Sequence, residues 1–126
     1  MNTNKLILLV LSFLIYSCGK EKEIYAKPIV EKTYNFGNIG ISDTINHDFI
    51  IKNISKVPLN IQQIGTSCGC TAAIISDSII GYKDFAKIHI RYVPNKRKIG
   101  KIKNSIVIKA NTNPVFTTLY LIGHVK

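Results

Sequence analysis

Cys68 and Cys70 are candidates for thiol chemistry or metal binding, because only Gly69 separates them. In an extended strand, residues two apart point to the same face. Their Cα atoms would then lie about 6.6 Å apart, near the upper limit for a disulfide. Gly69 can adopt backbone angles closed to other residues, which would shorten this distance and permit a small, strained disulfide ring. Strained disulfides are readily reduced and are often the exchangeable ones.

Three roles are open for this cysteine pair. The cysteines could be structural, either packed as small apolar groups or joined in a local bond. They could exchange disulfides with another protein, or they could bind a soft metal such as Cu(I). Zinc is disfavoured because a closed zinc site needs about four ligands, and His47, His89 and His124 are far apart in the sequence.

The remaining polar residues form no catalytic pattern. His47 shares its parity with apolar residues, so we expect an interior histidine with its hydrogen bonds satisfied, whereas His89 and His124 are expected at the surface. Ser67 lacks the pattern of a nucleophile elbow, and no glycine-rich phosphate loop precedes a helix. The sequence therefore predicts no enzyme and indicates no cofactor.

The third cysteine, Cys18, points to membrane attachment. It follows an apolar run over residues 6–15 that begins after Lys5. This run has the length of a secretory signal and is shorter than the roughly 20 residues of a membrane-spanning helix. The segment resembles a bacterial lipobox, in which the cysteine receives lipid, including palmitate, and becomes the mature N-terminus, although Tyr16 stands where a small residue is usual. We expect a signal peptide over residues 1–17 and a lipoprotein, with a secreted protein without lipid as the alternative.

These features place the protein at the bacterial cell envelope, outside the cytoplasm, in the periplasm or at the outer membrane. Residues 18–32 alternate charges, include Pro28 and lack a sustained apolar period, which predicts a tether. Residues 33–126 are enough for one domain with one core but not for two.

The chain is strongly basic, with 17 Lys and Arg against 7 Asp and Glu and a formal net charge of +10. The basic residues are densest at Lys96, Arg97, Lys98, Lys101 and Lys103. Export argues against nucleic acid as a partner. The cluster is then either an ordinary solvated surface or a contact for anionic lipid headgroups, polysaccharide or an acidic protein.

Beyond Thr33 the apolar residues recur with period two, which is typical of half-buried antiparallel strands. The clearest run alternates Ala86, Ile88, Ile90 and Tyr92 with charged residues, and similar runs begin near residues 45, 59, 102 and 119. Turn residues separate the runs near positions 37–40, 53–58, 81, 94–98 and 111–114. Several short strands at this spacing predict a β-sandwich.

Three segments carry a family resemblance: Tyr34 to Gly40, Asn53 to Ile61, and Ser67-Cys68-Gly69-Cys70-Thr71. In these motifs the chain resembles DUF1573, a bacterial family of domains of unknown function. The resemblance implies an all-β, immunoglobulin-like antiparallel sandwich of about seven strands, similar to domains of Hydin and major sperm proteins. It also implies a secreted protein or lipoprotein without an agreed activity.

The sequence therefore predicts a lipid-anchored binding or structural module of the cell envelope. Open edge strands of such a sandwich can pair with an extended segment, so we expect a protein partner in addition to the membrane that holds the lipid. The alternative from a different class is a thiol redox or copper-handling protein that works through Cys68 and Cys70.

Overall fold

A computed structural model of the chain describes residues 3–13, 19 and 21–126. These residues form one helix and nine strands: α1 (Thr3–Phe13), β1 (Pro28–Val30), β2 (Thr33–Ile39), β3 (Ile45–Asn53), β4 (Leu59–Thr66), β5 (Thr71–Ile75), β6 (Ile79–Ile80), β7 (Phe85–Tyr92), β8 (Gly100–Ala110) and β9 (Phe116–Val125). None of the helical structure in this part of the chain is long and apolar enough to cross a membrane.

The strands build two sheets that share one hydrophobic core. The four-stranded sheet has the order β1-β3-β7-β5, and the five-stranded sheet has the order β2-β9-β8-β4-β6. The predicted β-sandwich is thereby confirmed, with nine strands instead of about seven. The two additional strands, β1 and β6, have only 3 and 2 residues, which is too short for a period-two pattern to be visible.

The period-two pattern decides which side chains enter the core. In β7 the buried residues Ala86, Ile88, Ile90 and Tyr92 alternate with exposed ones, as predicted. Each large apolar side chain that becomes fully buried contributes about 1.5–3 kcal/mol. The other strands complete the core with Phe49, Ile51, Leu59, Ile61, Ile80, Ile106, Ile108, Leu119, Leu121 and Val125.

One strand pair departs from the predicted antiparallel sandwich, because β2 runs parallel to β9. Only residues 31–32 separate β1 from β2, so the chain crosses from one sheet to the other without space to reverse its direction. Since β1 pairs antiparallel with β3, the direction of β2 is already set when it reaches β9.

The predicted tether over residues 18–32 is too long. Ala26 is only 2% exposed and forms a bridge with Thr112, and β1 pairs with β3 through Pro28, Ile29 and Val30. The charged residues around this segment hide its strand character in the sequence. The sandwich therefore begins at about Ala26 instead of Thr33.

Asn53, at the end of β3, organises the turn that follows. Its amide nitrogen donates to the carbonyl oxygens of Val57 and Ile80, each at 2.9 Å. Its amide oxygen accepts bonds from the backbone N–H and the hydroxyl of Ser55, at 3.0 and 2.7 Å. Asn53 and Ser55 are both buried. These four bonds satisfy the buried polar groups and join β3, the turn and β6.

The two ends of the sandwich carry different connections between strands. At one end the chain enters the domain, where Lys27 accepts a hydrogen bond from the backbone of Ile54; we call this the N-terminal end. Ile45 and Thr71 both lie opposite Tyr92, the last residue of β7, and Gly100 lies opposite Val125, the last residue of β9. Residues 40–44, 67–70 and 93–99 therefore connect strands at the opposite end, which we call the far end. The 9-residue β3 separates the two ends by about 30 Å.

Candidate functional site

The Cys68–Cys70 pair lies at the far end, in the turn between β4 and β5. The two cysteines are joined by a disulfide, and their Cα atoms are 5.1 Å apart. This distance is well below the roughly 6.6 Å of an extended strand, because the segment is a turn in which the N–H of Thr71 donates to the carbonyl of Cys68 at 3.1 Å. The expected shortening is present, but its expected cause is wrong, because the glycines with positive φ in the described chain are Gly37 and Gly100 and not Gly69.

Backbone and hydroxyl groups of neighbouring strands hold this turn. Ser67 and Ser105 bond reciprocally: the Ser67 N–H donates to the Ser105 carbonyl at 3.0 Å, and the Ser105 N–H donates to Ser67 Oγ at 2.9 Å. The Thr66 hydroxyl reaches the carbonyls of Cys68 and Thr71 at 3.2 and 3.1 Å. On the other sheet, the N–H of Val93 donates to the Cys70 carbonyl at 3.0 Å. The turn is therefore fixed to both sheets.

Polar groups also surround the sulfur atoms. The backbone N–H of Cys70 lies 3.1 Å from Cys68 Sγ. The amide nitrogen of Asn104 lies 3.3 Å from the Thr71 hydroxyl and 4.0 Å from Cys70 Sγ, and the same hydroxyl is 3.9 Å from Cys70 Sγ. Such donors can hydrogen-bond to the sulfur that leaves when a disulfide is exchanged. Both cysteines are partly buried, and a reaction partner would meet them at the far end, where the turn lies.

Asn104 was not a candidate from the sequence. It stands 34 residues after Cys70. In β8 it lies on the same inner face as Ile102 and Ile106, and the sequence predicts only an apolar role for that face. Only the packing of β8 beside β4 brings it to the cysteine turn. Its single sequence signal is a polar residue on the apolar face of a strand.

The histidines lie apart from the cysteine turn. His124 is exposed, as is His89, whose Nδ1 lies 2.6 Å from the Asp48 carboxylate, so the surface positions predicted for both are confirmed. Among residues 3–13, 19 and 21–126, no group of three or more His, Cys, Asp or Glu side chains could hold a metal ion. A metal bound at the turn would thus have the two sulfur atoms as its ligands.

His47 differs from its prediction. It lies on the inner side of β3, where its ring stacks on Tyr34 with centroids 3.6 Å apart and meets the edge of Phe49 at 4.7 Å. However, its Nε2 is buried without a hydrogen-bond partner. The prediction that the hydrogen bonds of this interior histidine are satisfied is therefore wrong. Burial lowers the pKa of His47 below its usual 6.5, against the opposite effect of the Glu31 and Asp48 carboxylates.

The basic cluster also lies at the far end. Lys96, Arg97 and Lys98 are in the connection between β7 and β8, and Lys101 and Lys103 follow on β8. Ion pairs in the described part of the chain involve Lys27 with Glu23 and His89 with Asp48, so no described carboxylate neutralises this cluster. Cys18 is outside the described residues, and its lipidation stays a prediction.

A family model agrees with the motifs and with this fold. The model "Protein of unknown function (DUF1573)" matches residues 28–125. The chain belongs to this family. The DUF1573 match begins at β1 and ends at the last residue of β9, so it covers all nine strands. No curated protein matches the sequence.

Solved structures with little sequence identity share the DUF1573 fold found here. A protein of unknown function from Porphyromonas gingivalis W83 aligns with a TM-score of 0.74 at 14% identity, over 82% of this chain and 50% of that one. The chain therefore spans about half the length of that protein.

Two further structures are more distant. The ASH/PapD-like domain 7 of human CEP192 aligns with a TM-score of 0.64 at 11% identity, over 85% and 90% of the two chains. The VesB protease of Vibrio cholerae aligns with a TM-score of 0.55 at 8% identity, over 79% of this chain and 31% of VesB. At these identities the likeness concerns the fold alone, and it confirms the immunoglobulin-like sandwich.

Proposed function

We propose that this DUF1573 protein is a lipid-anchored binding module of the bacterial cell envelope that presents its far end to a partner protein. The observation that supports this most is the separation of the two ends. The chain enters beside Ala26 at the N-terminal end, whereas the disulfide-closed turn lies at the far end. A lipid on Cys18 would hold the N-terminal end near the membrane and leave the turn accessible.

The strand after the turn offers an edge for an extended segment of the partner. β5 is at the end of the four-stranded sheet and pairs with β7. Beside it lies a groove of about 280 Å³ whose apolar lining includes Ile61, Ile64, Ala73 and Ile75. Such an edge can add a strand through backbone hydrogen bonds while the groove takes alternate side chains. On the outer face of the sheet, Ile74 is 67% exposed.

The lipid anchor is tested by replacing its attachment point. We expect Cys18→Ser to abolish metabolic labelling with a palmitate analogue and to release the protein from the membrane fraction. The paired variant Cys68→Ser/Cys70→Ser is the control, and it should keep the label because the turn takes no part in lipidation. Labelling that persists in Cys18→Ser would contradict this anchor.

The partner surface is tested by photocrosslinking in cells. A photoreactive amino acid at Ile74 should give a discrete adduct with one protein, whereas the same amino acid at exposed Asn113, at the N-terminal end, should not. Equal adducts at both positions, or none at Ile74, would contradict a partner on β5.

Thiol-disulfide exchange is a second candidate, favoured by the donors around Cys68 Sγ and Cys70 Sγ. In this function, the dithiol of a partner protein would transfer two electrons and two protons to the disulfide. Cys68 and Cys70 would become thiols and the partner dithiol would become a disulfide. A free-thiol count on protein purified without reductant, repeated after incubation with a small dithiol, decides between the candidates. Two thiols that appear without denaturant support exchange, and thiols that appear only after denaturation support a structural disulfide.

A further inference from the structure

A second surface, separate from the cysteine turn, has the character of a binding site. A cleft of about 500 Å³ opens on the outer face of the five-stranded sheet, beside the far end. Paired residues of three neighbouring strands form two rows across this cleft. Asn38, His124 and Lys101 form one row over β2, β9 and β8, and Asn35, Ile122 and Lys103 form the next.

A β-bulge in β2 shapes this cleft. The pairing of β2 with β9 shifts register between Asn35 and Asn38, and Gly37 has a φ of 74° within the bulge. The side-chain oxygen of Asn35 accepts a hydrogen bond from the Gly37 N–H at 2.9 Å. Without a bulge, residues three apart would point to opposite faces of the sheet. With it, both asparagines line the same cleft.

The two walls of the cleft differ in chemistry. Lys101 and Lys103 stand on β8 and the asparagines stand on β2, two strand spacings or about 9–10 Å apart. Ile122, on the middle strand β9, gives the floor an apolar patch. A group that fits between the walls would meet cations on one side, amides on the other, and the side chains of Ile122 and His124 below.

The cations of this cleft carry no bound carboxylate in the described part of the chain. The Lys103 ammonium lies over the ring of Tyr120, 4.7 Å from its centroid. The acid in the nearby 40–44 connection, Asp43, accepts the N–H of Gly40 at 2.7 Å. The positive charge of Lys101 and Lys103 is therefore available to bind an anion from outside the domain.

We propose that this cleft binds an acidic sugar residue of an envelope polysaccharide. Lys101 and Lys103 would bind its carboxylate or phosphate, Asn38 would exchange hydrogen bonds with hydroxyl groups, and Ile122 would contact the C–H face of the ring. An acidic peptide fits less well, because β9 lies between β2 and β8 and its backbone groups are used in the sheet, so a peptide on this face cannot add as a strand.

The test measures binding of four polymers to the full-length chain in nonionic detergent. The polymers are polygalacturonate, phosphorylated dextran, neutral dextran and poly-L-glutamate. We expect binding of polygalacturonate or phosphorylated dextran, and the tighter of the two identifies the anionic group. Neutral dextran should not bind, and poly-L-glutamate should bind at least roughly tenfold more weakly than the better acidic glycan.

Variants separate the cleft from the general charge of the domain. Lys101→Gln/Lys103→Gln should weaken binding roughly tenfold. Lys52→Gln/Lys87→Gln removes the same charge from the outer face of the other sheet and should change binding less than about twofold. Asn38→Ala leaves the charge unchanged and should still weaken binding about threefold.

Three outcomes would overturn the proposal: neither acidic glycan binds, poly-L-glutamate binds as tightly as the better glycan, or the control pair loses as much affinity as the cleft pair. Since the cleft needs neither lipid on Cys18 nor a partner on β5, these outcomes leave the proposed function to its own tests.

Discussion

At the scale of single residues, half-buried His47 combines an aromatic stack on Tyr34 with a buried ring nitrogen. Its Nε2 has no partner, and protonation would add a charge between the rings of Tyr34 and Phe49. Burial therefore lowers the His47 pKa below 6.5 in the folded protein. The unfolded chain binds this proton more readily than the folded domain does.

Acid should destabilise the domain through His47. The stability linked to this residue is present above the unfolded-state pKa near 6.5 and is lost as the pH falls from there through the lowered folded-state pKa. His47→Phe keeps an aromatic ring on Tyr34 and should reduce this dependence, whereas His124→Phe at an exposed site should keep it. Urea unfolding of the full-length chain between about pH 8 and pH 5 measures the difference. Parallel curves for the wild type and His47→Phe would contradict this role.

At the scale of elements, the close approach of β2 and β9 depends on Gly123. A side chain at this position would overlap the ring of Phe36, which enters the sandwich from β2 and stacks on Tyr92 with centroids 5.6 Å apart. Phe36 and Gly123 belong to different strands, so the sequence alone does not show that this ring fills the space beside the glycine.

Gly123→Ala should therefore lower the free energy of unfolding by about 1–3 kcal/mol, the usual cost of overpacking. Gly65→Ala, where an added carbon meets no neighbour within 4 Å, is the matched control and should keep stability or raise it by up to about 1 kcal/mol. Adding Phe36→Leu should recover part of the loss, because the smaller side chain leaves room for the new methyl group. Strict additivity of the two substitutions in urea unfolding would show that these residues do not interact.

The elements also show how far local sequence determines the fold. β7 was predictable along its whole length, because one face is buried and the other is charged. The turn around position 81 was predicted from Gly81, yet the residue with positive φ there is Lys83, at 64°. The Lys83 N–H donates to the Asn53 carbonyl at 2.8 Å, so a contact 30 residues away in the chain decides which turn residue adopts this conformation.

At the scale of the whole molecule, the two ends of the sandwich should lie at different distances from the membrane. If lipid holds Cys18, residues 19–25 can extend at most about 25 Å, which is less than the roughly 30 Å between the ends. In the lipidated protein on vesicles, a fluorescent amino acid at Asn113 should be quenched by lipid-borne quenchers more strongly than one at Lys98. Equal quenching would mean that the domain lies flat on the membrane.

Three properties could be predicted from the sequence: the apolar faces of the long strands, the family, and the cysteine pair as the candidate site. These properties depend on residue type, order and local spacing, which folding does not alter. Three others required the folded structure: the parallel pairing of β2 with β9, the placement of Asn104 beside Cys70, and the rows of Asn and Lys across the cleft. Each of these joins residues from separate strands, and the pairing of separate strands is set by how both sheets bury a common core.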